Sequence, residues 1–401
     1  MGQSFWQKLK RVKYSDIIHI FKFLFAIPFA VILRLKKNDI WLLCDSRYEA
    51  EDNAFWLFQY VRINEPTIDA VFALDRKSKD YEKVAVLGPV IPYGSFLHWI
   101  YYLAASKNIS SQKMGKPNAA VCYVLEVYGV LKNKRAFLQH GIISADLPFL
   151  HYKNTKMKLF VTSTQAEWEF VNSTFGYPEG YVQKLGLCRF DGLHDFVIRK
   201  NQILIMPTWR MYIRNHLSAK DSTQKRKSFM QTNYFKEWDR LLSDERFLKF
   251  IDENNLNVVF YPHREMIDFI NCFSFKSEHI QLASWKNSDI QTLLKESAFL
   301  ITDYSSVAMD FAYMKKPLLY YQFDYKEFRE NHHPEGYFSF EKDGFGPVCS
   351  NAVEAINALI LSYSEQKQFM NHCEYVERQK KYFDLYDSEN CKRNYLAILK
   401  M

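Results

Sequence analysis

Short apolar runs alternate with longer segments of helical periodicity along most of the chain. Ile40–Cys44, Ala70–Ala73, Val84–Leu87, Ala136–Gln139 and Leu159–Thr162 read as strands, with a helix around Asn53–Val61. A strand apolar on both faces belongs in a parallel sheet covered by helices on each side, so this stretch predicts one α/β domain. Ile203–Met206, Val258–Tyr261, Phe299–Thr302 and Leu318–Tyr321 repeat the alternation and predict a second, with the boundary near Asp195–Gln202. The polar stretch Ser218–Ser228 reads as a mobile loop, and the chain from about Ser364 reads as helix. A length of 401 residues is more than one hydrophobic core usually serves, which agrees with two domains.

Charge changes the picture at one end only. The net charge is +8, and residues 1–37 hold eight Lys/Arg against the single acid Asp16, or +7; the rest, with 45 basic and 44 acidic residues, carries +1. A nucleic-acid-binding face would spread that excess over a folded surface, so an anionic membrane is the expected partner. Lys8, Lys10, Arg11 and Lys13 precede an apolar run from Ile17 to Leu33, and Arg34, Lys36 and Lys37 follow it. His19, Lys22 and Pro28 interrupt the run, which argues against a spanning helix, as does positive charge on both flanks. The expectation is a helix lying in the cytoplasmic leaflet; a core helix with a solvated basic end and a short transmembrane anchor are the alternatives. No small-residue cleavage site of a secretory signal follows. Seven scattered cysteines without a C-x-x-C pair fit a reducing compartment.

Ligands bind outside the carboxyl ends of the strands in open parallel sheets, which directs attention to four strand ends. Thr302-Asp303-Tyr304-Ser305-Ser306 leads from a strand into a helix through about Met314, and free N–H groups with two hydroxyls make an anion site; Asp310 lies a turn on, within reach of a ribose hydroxyl. An ordinary helix cap explains the same residues. Thr208-Trp209-Arg210 brings a guanidinium suited to phosphate oxygens, or a surface Arg stacked on Trp209. His263 follows a third strand and can donate to a phosphate or protonate a leaving group. His140-Gly141 ends a strand of the first domain, where a general base facing the phosphate site belongs; a histidine capping a strand is the plainer reading. No histidine or carboxylate cluster has metal-ligand spacing, so no protein-bound metal is expected, and a divalent cation carried by a nucleotide is compatible with the sequence.

His140-Gly141, Gly186-x-x-Arg189-x-Asp191, Pro207-Thr208-Trp209-Arg210, Pro262-His263, Thr302–Ser306 with Asp310, Lys316-Pro317 and Gly344–Pro347 together resemble the CDP-glycerol glycerophosphotransferases of teichoic-acid and capsule-polymer synthesis. The motifs span about residues 136 to 350. The resemblance implies a GT-B fold of two Rossmann-like domains around a cleft: 1–37 membrane-associating, 38–197 acceptor domain, 198–401 CDP-donor domain with a closing C-terminal helix. It implies a peripheral protein on the cytoplasmic face of the membrane, transferring glycerol phosphate from CDP-glycerol to a hydroxyl of a lipid-linked acceptor and releasing CMP. By position His140 matches the family's base, with His263 also in the catalytic set. Arg210, Thr208, Thr302, Asp303, Ser305, Ser306 and Asp310 fall on the donor side, and Gly141, Arg189 and Asp191 serve the acceptor or the scaffold. Leu138-Gln139 and Cys188-Arg189 depart from the family's usual Thr-Trp and Pro-Arg pairs, which points to a different acceptor side. A CDP-ribitol donor, a nucleotide-sugar glycosyltransferase of the same fold and a silent subunit of a polymer-export assembly are the competing functions.

Overall fold

The computed structural model describes residues 13–113, 115–129, 131, 134–213, 221–284, 288–331 and 336–401. Lys8, Lys10 and Arg11 of the basic segment lie outside the described residues. The chain divides into two compact units: residues 1–142, 147–192 and 387–401 form the first, residues 143–146 and 193–386 the second.

Among the described residues of the first unit, seven strands form a parallel sheet in the order β3-β2-β1-β4-β5-β6-β7. They are β1 Ile40–Cys44, β2 Asp69–Leu74, β3 Val90–Pro92, β4 Lys107–Ser110, β5 Lys134–Phe137, β6 Leu159–Thr162 and β7 Val182–Lys184. Every residue of β1 and of β6 is buried, as expected of strands covered on both faces. The order reverses between β1 and β4, so their carboxyl ends flank a crevice of the kind that takes ligands in such sheets. Asp45 and Ser111 follow those two strands directly.

Six described strands of the second unit repeat the arrangement, in the order β10-β9-β8-β11-β12-β13. Here β8 is Arg199–Met206, β9 Asn257–Phe260, β10 Ile280–Leu282, β11 Ser297–Thr302, β12 Leu318–Tyr321 and β13 Val348–Cys349. The reversal lies between β8 and β11, where Ile205 pairs with Ile301 and Met206 with Thr302. That register sets the loop carrying Thr208 and Arg210 beside the loop carrying Asp303.

Four expectations need correction. Val84–Leu87 is not a strand but the end of the helix Tyr81–Leu87; the edge strand is Val90–Pro92, after Gly88. A four-residue apolar run carries no period that separates strand from helix. The polar stretch near 218–228 holds the helix Ser222–Met230, whose N-terminus is capped when the Asp221 side chain accepts the N–H of Gln224. The division expected at residue 198 falls at 193, and the C-terminal helix Asn390–Leu399 belongs to the first unit. Asp191 fastens that helix there, its carboxylate accepting the N–H groups of Asn390 (2.9 Å) and Cys391 (2.7 Å).

The apolar run near the N-terminus is the helix Tyr14–Lys36, long and apolar enough to cross a membrane. It packs against the helix Phe96–Ala104 of the same unit through Ala26, Ala30 and the Phe23–Trp99 edge-to-face pair. Lys22 Nζ donates to Gly94 O (3.0 Å) and Arg34 Nη2 to Leu103 O (2.8 Å). Phe21, Leu24, Phe25, Val31, Ile32 and Leu35 are exposed on it.

Candidate active site

In the first unit, β5 ends at Phe137 and the chain turns sharply through Gln139, whose φ of 67° is left-handed. That conformation costs an L side chain energy and persists because the surroundings hold it. The Gln139 amide donates to Val161 O (2.6 Å) and Glu167 Oε1 (2.9 Å), and Gln139 O accepts from Asn53 Nδ2 (2.8 Å). Gln139 is therefore an inward-facing clamp, and the departure from the family pattern at this position bears on the scaffold. The next residue, His140, comes out to the surface with its side chain 68% exposed.

His140 is held from below. Its Nδ1 lies 2.5 Å from Oδ2 of Asp52, a buried residue preceding the helix Asn53–Asn64. The other oxygen of Asp52 accepts from Arg189 Nη1 (3.1 Å) and from the Asn53 N–H (2.9 Å). Arg189 Nη1 also donates to His140 O (2.8 Å), and the Arg189 N–H to Asn53 Oδ1 (2.9 Å). Burial pushes the Asp52 carboxyl up, but His140 and then Arg189 outweigh it, and the net direction is down. Asp52 is thus ionised, and Nε2 is the imidazole nitrogen directed away from it. Behind Asp52 lies Asp45, whose oxygens accept the N–H groups of Asp52 (3.0 Å), Ala54 (2.9 Å) and Phe55 (3.3 Å) and the Ser111 hydroxyl (2.5 Å). Burial, then the charge of Asp52, raises the Asp45 carboxyl to about 7.

Sequence reasoning found His140 and Arg189 and missed Asp52, Asn53 and Asp45. The strand-end rule would have named them, since all three follow β1. Asp191 sits in the same motif as Arg189 and holds the C-terminal helix.

In the second unit the carboxyl ends of β8, β9 and β11 carry the predicted residues. Arg210 differs from the expectation of a guanidinium open to solvent, being 0% exposed. Its Nε and Nη2 grip Asp324 (2.7 and 3.0 Å), and its Nη1 reaches Asp303 Oδ2 (2.8 Å) and Thr208 O (2.6 Å). Burial works against the guanidinium charge, and Asp303 and Asp324 more than restore it. Asp303 is likewise internal: Oδ1 accepts the N–H groups of Thr208 (2.8 Å) and Tyr304 (2.6 Å), and burial raises its carboxyl despite Arg210. Thr302 is buried and donates to Met206 O (2.6 Å). These three side chains fix the two loops.

What the loops present is Ser305, half-buried, and Ser306, exposed at the start of the short helix Val307–Tyr313. Ser306 makes no side-chain cap bond, while Ser305 Oγ accepts weakly from the Val307 N–H (3.5 Å). Asp310 is buried within that helix. The Thr208 hydroxyl is buried without a hydrogen-bond partner among the described residues. His263 is half-buried after β9, its ring stacked at 21° on Trp209, with Nδ1 accepting the Glu265 N–H (3.3 Å). Trp209 therefore stacks on His263, where Arg210 was the expected neighbour. Among the described residues no group of three His, Cys, Asp or Glu side chains is placed to hold a metal ion.

The family model of the CDP-glycerol:poly(glycerophosphate) glycerophosphotransferases matches residues 25–400. The chain is 34% identical over 375 residues to the minor teichoic acid biosynthesis protein GgaB of Bacillus subtilis (strain 168), covering 91% of this chain and 40% of that protein. It therefore spans under half the length of that relative. A teichoic acid poly(glycerol phosphate) polymerase of Bacillus spizizenii is 24% identical over 84% of this chain and 87% of its own. The wall teichoic acid polymerase TagF, as a His-to-Asn variant soaked with CDPG, superposes with a TM-score of 0.62 at 14% identity over 99% of this chain and 97% of that one. A UDP-GlcNAc 2-epimerase from Neisseria meningitidis gives 0.56 at 12% identity, over 90% and 100%. These last two likenesses concern the fold, two parallel-sheet α/β domains of GT-B type.

Proposed function

This chain belongs to the CDP-glycerol:poly(glycerophosphate) glycerophosphotransferase family, and from that premise we propose that it transfers glycerol phosphate from CDP-glycerol to a hydroxyl of a membrane-linked polyol-phosphate or glycan acceptor. CMP is released, and the product is a phosphodiester of a teichoic-acid-like or capsular polymer. The observation that carries the reading is the exposed His140 imidazole gripped through Nδ1 by buried, ionised Asp52. A hydroxyl acceptor needs one proton removed as it attacks, and this pair supplies a base with a fixed orientation.

In the proposed step, His140 Nε2 takes the acceptor's proton while its oxygen attacks the donor's β-phosphorus in line. The bond from that phosphorus to the bridging oxygen breaks, and CMP leaves with the electron pair. Asp52 stabilises the imidazolium that forms. Ser305, Ser306, Thr208 and His263 receive the donor's phosphates, as their place at three adjacent strand ends suits them to do. Arg210, Asp303 and Thr302 hold those loops in place, and preorganised donors of this kind act on developing charge without reorganising. The donor is in keeping with the CDPG used in the TagF soak. We place the enzyme on the cytoplasmic face of the membrane, with the exposed face of Tyr14–Lys36 in the headgroup layer. Spanning would strip that helix from Phe96–Ala104 and pull Lys22 and Arg34 from the carbonyls they bond.

Purified protein given CDP-glycerol and a glycerol-phosphate-primed lipid tests the proposal by CMP release. CMP appearing only with primer, and faster from CDP-glycerol than from CDP-ribitol, is the expected result. Nucleoside diphosphate release from a nucleotide sugar, with no CMP from either CDP-alditol, would overturn it.

A further inference from the structure

A second cluster of charge in the first unit is left unused by this chemistry. Glu126, buried at the end of the helix Ala119–Val127, places Oε2 against both Lys116 Nζ (2.5 Å) and Arg135 Nη1 (2.6 Å). Its other oxygen accepts the Tyr102 hydroxyl. The carboxylate is saturated, yet Arg135 Nη2 is buried with no hydrogen-bond partner among the described residues. A third cation stands close by: Lys113 Nζ donates to Phe149 O (2.8 Å). Burial and the charge of Lys116 both push the Lys113 ammonium down, and burial, with Arg135 acting the same way, lowers Lys116 against the pull of Glu126.

Two buried cations thus share one carboxylate, with the half-exposed Lys113 as a third cation in the same field. Desolvated charge is kept only where counter-charge and hydrogen bonds compensate it; here one carboxylate faces more than one cation, and one guanidinium nitrogen makes no hydrogen bond among the described residues. The missing partner is an anion with several acceptor oxygens, and the fork of a guanidinium beside ammonium groups matches phosphate in particular. On the solvent side of the cluster, Lys113 lies over the rings of Tyr123 (5.4 Å) and Phe149 (5.8 Å), both exposed. Asn118, the cap of the same helix, donates to Asp16 at the start of Tyr14–Lys36 (2.9 Å), so the helix that carries Glu126 begins beside the exposed apolar helix.

We infer that Lys113, Lys116 and Arg135 form a second anion site, which takes a phosphate ester. Its ligand is either a lipid headgroup phosphate or a phosphate of a soluble chain; the chemistry recognised is the same. The site is separate from the donor loops, and its test uses no CDP-glycerol, so it stands or falls apart from the transfer reaction.

The full chain is titrated with sodium phosphate against sodium chloride at equal ionic strength, reading the unfolding midpoint, and in a second arm is sedimented with phosphatidylglycerol vesicles. Wild type is compared with Lys113→Ala, a half-exposed position that leaves the Glu126 contacts intact, and with Lys342→Ala, which removes one exposed charge elsewhere. Phosphate also enters the proposed donor site, so the difference between variants is the readout. Lys113→Ala should need at least about tenfold more ligand for the same effect in one arm, a difference of 1.4 kcal/mol, with Lys342→Ala like wild type. A defect in the phosphate arm identifies a soluble phosphate chain, a defect in the vesicle arm a headgroup, and either supports the site. Equal responses of Lys113→Ala and wild type in both arms overturn it.

Discussion

An imidazole that accepts a proton must be held by one nitrogen and offered by the other, and Asp52 does the holding at His140. His140→Ala should lower kcat for CMP release by about 10²–10⁴ with folding intact, the usual weight of a general base. Asp52→Asn keeps the volume but removes the charge that steadies the imidazolium, so kcat should fall steeply, by up to about 10⁴, while KM for CDP-glycerol is unchanged. Near-normal kcat in a folded Asp52→Asn protein would sink the assignment. Arg210 calls for the opposite expectation. With its guanidinium enclosed by Asp303 and Asp324, Arg210→Met leaves two buried carboxylates uncompensated and should cost about 3–5 kcal/mol in denaturant unfolding. A guanidinium that merely met phosphate at the surface would leave stability untouched. The sequence made His140 legible because a strand and a glycine frame it. It hid Arg210's burial because its bidentate partner lies 114 residues away, and Asp52 because 88 residues separate it from His140.

Helix starts and strand ends are where the active-site side chains are fixed, and Asp45 shows how. Its carboxyl gathers the first N–H groups of Asn53–Asn64 and the Ser111 hydroxyl, tying the helix to the switch between β1 and β4. Its folded value of about 7 stands above the ordinary 3.8. A group raised in this way contributes its stability in full below about 3.8, and that contribution is lost as pH rises toward 7. Asp45→Asn cannot ionise and retains an oxygen for the helix, so its unfolding free energy should gain on wild type across that window. The gain should reach up to about 4 kcal/mol at 1.36 kcal/mol per pH unit. A difference that stays flat from pH 4 to 7 would contradict the buried charge. The long apolar strands were readable because burial on both faces leaves an unbroken run. Val84–Leu87 and the described part of Ser218–Ser228 were not: the first is too short to show a period, and the second enters the helix Ser222–Met230, whose apolar anchor is a single buried Phe229 near its end.

At the scale of the molecule, two parallel sheets were legible from two sets of apolar runs. The return of residues 387–401 to the first unit was not, since it depends on Asp191 meeting an N-terminus some two hundred positions later. The Tyr14–Lys36 helix joins both kinds of information. Its apolar run and basic flanks were plain, but its seating against Phe96–Ala104 decides what it can do. A helix seated by Ala26 and Ala30 offers its other face to the surroundings, and Phe21, Leu24, Phe25 and Ile32 are on offer there. Water does not stabilise so much contiguous apolar surface, and a bilayer headgroup layer does. Phe21→Glu with Phe25→Glu changes only exposed positions, so the folded chain should survive with its unfolding midpoint little altered. Binding to phosphatidylglycerol vesicles should drop at least about tenfold, because two apolar anchors become two charges repelled by anionic lipid. Adding salt should weaken wild-type binding without abolishing it, since burial persists when screening removes the electrostatic share. Should the double variant sediment with vesicles as wild type does, the exposed face of this helix is not the membrane contact.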